Sequence, residues 1–104
     1  MKPIGTHNYF VYIVTNKNKT TLYTGVTNNL PVRMWQHKEE SKNQAKSFAG
    51  KYKCVNLVYY EHFDYIQDAI DREKEIKGWT RKKKEILIES INPSWRFMND
   101  EIED

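Results

Sequence analysis

The sequence predicts a small α+β domain, a three-stranded antiparallel sheet flanked by helices in the order β-β-α-β-α-α. Three observations predict it. Two β-branched and aromatic runs are separated by a short polar connector, a third such run follows position 53, and three segments carry apolar residues at helical spacing between start and stop residues. A chain of 104 residues fits one compact domain. That domain is expected over residues 1–98, with 99–104 as an acidic tail that frays.

Tyr9 to Thr15 is β-branched or aromatic throughout, and Thr21 to Val26 resembles it. The connector Asn16 to Thr20 is short enough to turn the chain straight back, which brings Tyr12 and Tyr23 into reach of each other across a hairpin. Asn28-Asn29 can cap a helix, Pro31 suits its first turn, and Leu30, Met34 and His37 recur at helical spacing, so a first helix is expected from Leu30 to Ser41. Lys42 to Lys53, rich in lysine and polar residues, reads as an exposed basic loop. Cys54 to Phe63 is a third strand, with Val55, Leu57, Tyr59 and Phe63 on one face by alternation and Val58 and Tyr60 on the other.

Asp64 with Gln67 resembles a helix start and Gly78 a stop, framing a second helix with Ile66, Ala69, Ile70 and Ile76 inward. A third helix runs from Thr80 to Ile91, with Ile86, Leu87 and Ile91 facing inward and Asn92-Pro93 ending it. Its first turn, Arg81 to Lys84, is strongly basic.

A hydrophobic fraction of 38% with seven tyrosines and three tryptophans suffices for a core, which excludes global disorder. No apolar run approaches the roughly 20 residues of a membrane span, and Met1 to Gly5 lacks a signal-peptide stretch. The expectation is a soluble cytoplasmic protein with no membrane contact and no obligatory protein partner. The single cysteine, Cys54, cannot form an internal disulfide, no Cys/His cluster has zinc spacing, and Cys54 is expected within the third strand. The net charge of +3 understates the basic character. Asp100, Glu101, Glu103 and Asp104 crowd the end, so 17 basic against 10 acidic residues leave +7 over residues 1–99. Such a body attracts phosphate backbones, although many soluble proteins share it. Lys46, Lys51 and Lys53 in the basic loop and Arg81 and Lys82 in the third helix are the candidate nucleic-acid contacts.

Glu73 is the most informative anomaly, because positions 66, 69, 70, 73 and 76 trace one stripe and the other four are apolar. A carboxylate on such a stripe needs a cation or a metal beside it, or else sits at the edge and reaches water or a lysine. Arg33 and His37, four residues apart, project from one side of the first helix, which fits a solvated face or a phosphate contact alike. Tyr12 and Tyr23 are equally ordinary edge-of-core aromatics.

Taken in order, Phe10-Val11-Tyr12, Tyr23-Thr24-Gly25, Arg33, His37 and Glu73 within Arg72-Glu73-Lys74-Glu75-Ile76-Lys77 resemble the GIY-YIG nuclease superfamily, and within it the small single-domain YhbQ-like branch. The resemblance spans about Tyr9 to Trp95. The first triplet is altered, with Phe10-Val11 in place of Gly-Ile, while Tyr12, Tyr23 and Gly25 are retained. It implies a metal-dependent endonuclease that hydrolyses phosphodiester bonds, with DNA in repair or turnover as the expected substrate. Glu73 would hold one Mg2+ or Mn2+ ion, Arg33 the scissile phosphate, and Tyr23 would activate the attacking water with Tyr12 and His37 orienting it. Asn92 loosely matches an asparagine near the end of the family's domain. Some relatives, including excision-repair nuclease subunits, carry a lysine just after the second triplet, where this chain has Val26. At pH 7 a tyrosine is about three pKa units, or roughly 4 kcal/mol, short of ionising, so its neighbours must supply positive charge. Two other readings stand beside this one. One is a nucleic-acid-binding module without catalysis, using loop 42–53 and residues 81–84. The other is an interaction protein whose acidic tail docks a basic partner.

Overall fold

The computed structural model describes residues 8–42 and 51–102. Its elements are β1 (Tyr9–Thr15), β2 (Leu22–Thr27), α1 (Leu30–Lys42), β3 (Asn56–Phe63), α2 (Ile66–Lys77), α3 (Arg81–Ile91) and a 3-10 turn at Asn99–Ile102. The order is the β-β-α-β-α-α of an α+β domain. β1 lies at the centre of the sheet, antiparallel to β2 on one side and β3 on the other. Both of its faces are covered, so Val11 through Thr15 are all buried and the strand reads as an unbroken apolar run.

The sheet separates two cores. On one face Tyr12, Val14 and Leu57 pack with Leu30 and Met34 of α1 and with Met98. On the other, Val11, Ile13, Val58 and Tyr59 pack with Ala69 and Ile76 of α2 and Ile88 of α3. The β1–β2 turn is tied internally, the Asn16 side chain accepting the backbone N–H groups of Thr20 (2.9 Å) and Thr21 (3.1 Å).

Several expectations need correction. Simple alternation fails in β3, because Ile13 pairs with Tyr59 but Val14 pairs with Leu57, leaving Val58 as an extra, bulged residue. The bulge inverts the faces. Leu57 and Tyr60 face α1, while Val58, Tyr59 and Phe63 pack toward α2 and α3. Cys54 lies two residues before β3, buried near the Thr21 carbonyl at 3.8 Å, and burial pushes its thiol up to about 11. Helix α2 starts after Tyr65 without a side-chain cap, and Asp64 instead approaches His62 at 3.8 Å.

In α3 the fully buried residue is Ile88, whereas Ile86 and Ile91 are exposed, because the run Ile86-Leu87-Ile88 carries no phase of its own. Residues 99–102 form the 3-10 turn, which is tied to β3. The Met98 N–H donates to the Leu57 carbonyl (2.7 Å), and Asn99 accepts from the Leu57 N–H and donates to the Val55 carbonyl, both at 2.9 Å. This segment supplies the hydrogen bonds that the outer edge of β3 would otherwise lack. Among the described residues no helix is long and apolar enough to cross a membrane.

Candidate active site

Helix α1 begins at a working cap, the Asn29 side-chain oxygen accepting the Val32 N–H at 3.2 Å. From there Leu30, Met34 and His37 turn toward the sheet, and Arg33, one position before Met34, emerges at the margin of that buried stripe. Tyr12 comes up from the middle of β1 to meet them. Its hydroxyl lies 2.8 Å from His37 Nε2 and receives a hydrogen bond from Arg33 Nε at 3.3 Å.

The protonation pattern follows from burial. Tyr12 is 1% exposed and His37 fully enclosed. Burial raises the Tyr12 phenol to about 12 against the opposing pull of Arg33, and burial with the nearby Arg33 charge lowers His37 to about 4. Near pH 7 Tyr12 is therefore a phenol and His37 a neutral imidazole. Since Arg33 can only donate, the phenol accepts from Arg33 and donates to Nε2, which leaves the imidazole proton on Nδ1. Nδ1 has no hydrogen-bond partner among the described residues; Glu40 Oε2, at 3.8 Å, is too distant for one. Glu40 also holds Arg33 Nη1 at 3.0 Å, and Gln36 accepts from the same nitrogen at 3.1 Å. Arg33 Nη2 has no acceptor among the described residues, and the side chain is 25% exposed.

Gly25 is what lets the Tyr12 ring lie flat against β2. The two residues are partners across the strands, and a Cβ at position 25 would fall 2.4 Å from the Tyr12 hydroxyl oxygen. Two residues back on β2, the half-buried Tyr23 meets the His37 ring edge-on at 5.8 Å. Lys77, the last residue of α2, places its ammonium over the Tyr23 ring, 5.5 Å from the centroid, and 3.7 Å from Glu73 Oε1. Because α2 covers the opposite face, this contact wraps the free edge of β2 and joins Glu73 to the tyrosine cluster through Lys77.

The family model for the GIY-YIG catalytic domain matches residues 8–85, a span that holds Tyr12, Tyr23, Gly25, Arg33, His37 and Glu73. The chain belongs to the GIY-YIG family. A GIY-YIG domain places it in the nuclease class of hydrolases, with nucleic acid as substrate. Its relatives include a UPF0213 protein of Bacillus pumilus, 32% identical over 85 residues that make up 82% of this chain and 83% of the relative. Another, from Haloquadratum walsbyi, is 40% identical over 78% of this chain and 86% of its own. The solution NMR structure of a UPF0213 protein from Bacillus halodurans matches with a TM-score of 0.53 and 30% identity, covering 89% of this chain and 93% of that one.

The two GIY-YIG triplets thus lie on neighbouring strands, offset along them so that they meet at Tyr12 opposite Gly25. Val26 packs toward the α2 side, away from Tyr12. Two residues that sequence reasoning passed over complete the cluster. Glu40 was signalled by its spacing from His37 and Arg33 on one helix, and Lys77 by its i,i+4 relation to Glu73.

Other candidates lie elsewhere. Asn92 is fully buried, donating to the Val58 and Arg96 carbonyls (2.9 and 3.0 Å) and accepting the Arg96 N–H (3.1 Å), so it ties the end of α3 to β3. Arg81 donates to the carbonyls of Thr20 (2.9 Å) and Lys19 (2.8 Å), which fastens α3 to the β1–β2 turn. Lys82 is exposed on the first turn of α3, and Lys51 and Lys53 are exposed before β3. Lys46, with residues 43–50 of the expected basic loop, lies outside the described residues.

Proposed function

We propose that this chain is a divalent-metal-dependent endonuclease in which Arg33 binds the scissile phosphate and Tyr23 takes the proton of the attacking water. The observation that carries the reading is the seat of Arg33. A buried phenol accepts from Nε and Glu40 fixes Nη1, while Nη2 has no acceptor among the described residues. A planar guanidinium held from behind meets phosphate oxygens with little freedom left to lose.

In this account Tyr12 and His37 are positioning residues, because both are enclosed and cannot touch a substrate. Tyr12 orients Arg33, and His37 packs against Tyr23 while accepting the Tyr12 proton. Lys77 sets its ammonium over the Tyr23 ring, a positive charge at the site that Val26 cannot supply. Glu73, partly exposed with Lys77 as its ion-pair partner, offers one carboxylate. Among the described residues no group of three or more His, Cys, Asp or Glu gathers around a shared point. A single hard oxygen ligand fits Mg2+ or Mn2+, ions that keep most of their waters, better than an ion needing several side-chain ligands. When bound, such an ion supplies positive charge against the phosphate oxygens in the transition state.

The test incubates the purified protein with labelled single-stranded, duplex and branched DNA and RNA, each with Mg2+, Mn2+ or a chelator, beside Glu73→Ala. Cleavage should require the metal and vanish in a folded Glu73→Ala protein. Metal-independent binding with no cleavage of any substrate would replace the nuclease with the binding module.

A further inference from the structure

Beside the tyrosine cluster, on the same face of the sheet, lies a cleft of about 400 Å³ that the reaction above does not use. Phe10 and Tyr60 form its wall, two aromatic rings in edge-to-face contact at 6.2 Å. Leu30 and Pro31 of α1 close one side, and Asn28 and Glu101 stand at its rim. Phe10 precedes Tyr12 by two residues on β1, and Leu30 precedes Arg33 by one helical turn, so the cleft borders the phosphate-binding guanidinium along both elements.

We propose that this cleft receives one unstacked nucleobase of the strand whose phosphate Arg33 holds. The inference rests on the nuclease reading and adds to it a substrate class, nucleic acid that is single-stranded or splayed next to the cleaved bond. Charge argues for a base over a phosphate. Among the described residues that line the cleft there is no lysine or arginine to hold an anion, and the one ionised group, Glu101, already has its counterion in Arg96. The aromatic wall supplies a stacking surface, as in other single-strand binding sites, and Pro31 gives an apolar opposite side. Asn28 is exposed, and its amide has no hydrogen-bond partner among the described residues, so its donors and acceptor are free for a base edge. Glu101, already held by Arg96 at 2.9 and 3.1 Å, is an acceptor suited to an exocyclic amino group.

The test uses the full chain carrying Glu73→Gln, so that substrates bind without being cut, in parallel with the cleaving parent. Single-stranded DNA and RNA oligonucleotides, each with one 2-aminopurine placed in turn at every position, are titrated against a duplex of the same sequence. The expected result is quenching of 2-aminopurine at one register only. Phe10→Leu, which keeps a core-filling side chain, should weaken single-strand binding roughly ten-fold. Duplex binding and the salt dependence of single-strand binding should stay unchanged, since no phosphate contact is removed. Asn28→Ala, at an exposed position that folding does not need, should alter preference among the four bases at that register. Equal single-strand affinity in Phe10→Leu and Asn28→Ala, or equal losses on duplex and single strand, would overturn the base site while leaving the nuclease intact. A parent that cuts no substrate with metal would overturn the nuclease reading instead.

Discussion

Gly25 and Tyr12 face each other so closely across β1 and β2 that the glycine has no room for a single additional carbon. A Cβ there would sit 2.4 Å from the Tyr12 hydroxyl and 2.5 Å from Cζ. These atoms belong to the far end of a side chain, but that end is 1% exposed and held by His37 and Arg33, so it cannot swing aside without losing both. Gly25→Ala should therefore destabilise the fold by about 1–3 kcal/mol and reduce cleavage beyond what unfolding explains. Thermal melting checks the first part. The loss should shrink in a Tyr12→Leu background, where the clashing atoms are gone. Unchanged melting and activity in Gly25→Ala would mean that the tyrosine has another place to go.

Tyr12→Phe removes the group that accepts from Arg33 and donates to His37. The imidazole Nε2 is then buried without a partner, a cost of about 1–3 kcal/mol in stability. If Arg33 depends on this seat, turnover at saturating substrate should fall roughly ten-fold or more, well below the melting temperature, while binding changes less. Arg33→Ala should show the same split more strongly. A Tyr12→Phe protein that turns over like the parent would make the tyrosine a packing residue only.

His37 gives stability a defined dependence on pH. In the unfolded chain it takes up a proton near pH 6.5, whereas in the fold burial and Arg33 delay protonation to about 4, with Glu40 opposing that shift. Between those values the unfolded state binds more protons, so stability falls as pH drops through the window and levels off below it. The fall is on the order of 3 kcal/mol. Carboxylates titrate at the lower end too, so the readout is the difference between parent and His37→Gln, which keeps an acceptor for Tyr12 but does not titrate. The stability of the parent minus that of His37→Gln, measured by denaturant unfolding, should fall by on the order of 3 kcal/mol from pH 6.5 to 4. A constant difference would show that His37 protonates as readily in the fold as outside it.

Much of this fold and most of its cluster were legible in the sequence, for a physical reason. The elements are bounded by local chemistry, Asn29, Gly78 and Thr80 at helix ends and polar residues at the hairpin turn, and local chemistry is what linear order preserves. Spacing put Arg33 and His37 on one side of a helix, and it was the resemblance to the GIY-YIG pattern that grouped them with Tyr12. What escaped was set by packing at long range. The bulge at Val58 depends on β3 pairing with Ile13 and Val14, and no alternation within β3 signals it. Ile88 is chosen over Ile86 by its contact with the α2 side of the sheet. The enclosure of Tyr12 and His37, which makes them holders of Arg33 and Tyr23, exists only once α1 lies on β1.

The two basic residues expected to contact nucleic acid from α3 should separate cleanly by experiment. Arg81 is committed to the fold, since its guanidinium donates to Thr20 and Lys19, pairs with Glu85 at 3.0 Å and lies over the Trp95 ring at 5.8 Å. Lys82 is exposed and bonds to nothing among the described residues. Arg81→Ala should thus lower stability by about 1 kcal/mol, by freeing the β1–β2 turn from α3, and leave the salt dependence of nucleic-acid binding as it was. Lys82→Ala should leave melting unchanged. If the first turn of α3 lies along the substrate backbone, that substitution should reduce the slope of log K against log salt by about one unit. Binding isotherms at several salt concentrations with both variants decide the matter. A slope that moves with Arg81 but not with Lys82 would mean that the guanidinium leaves the turn to hold phosphate, and an unchanged slope in both would take α3 out of the interface.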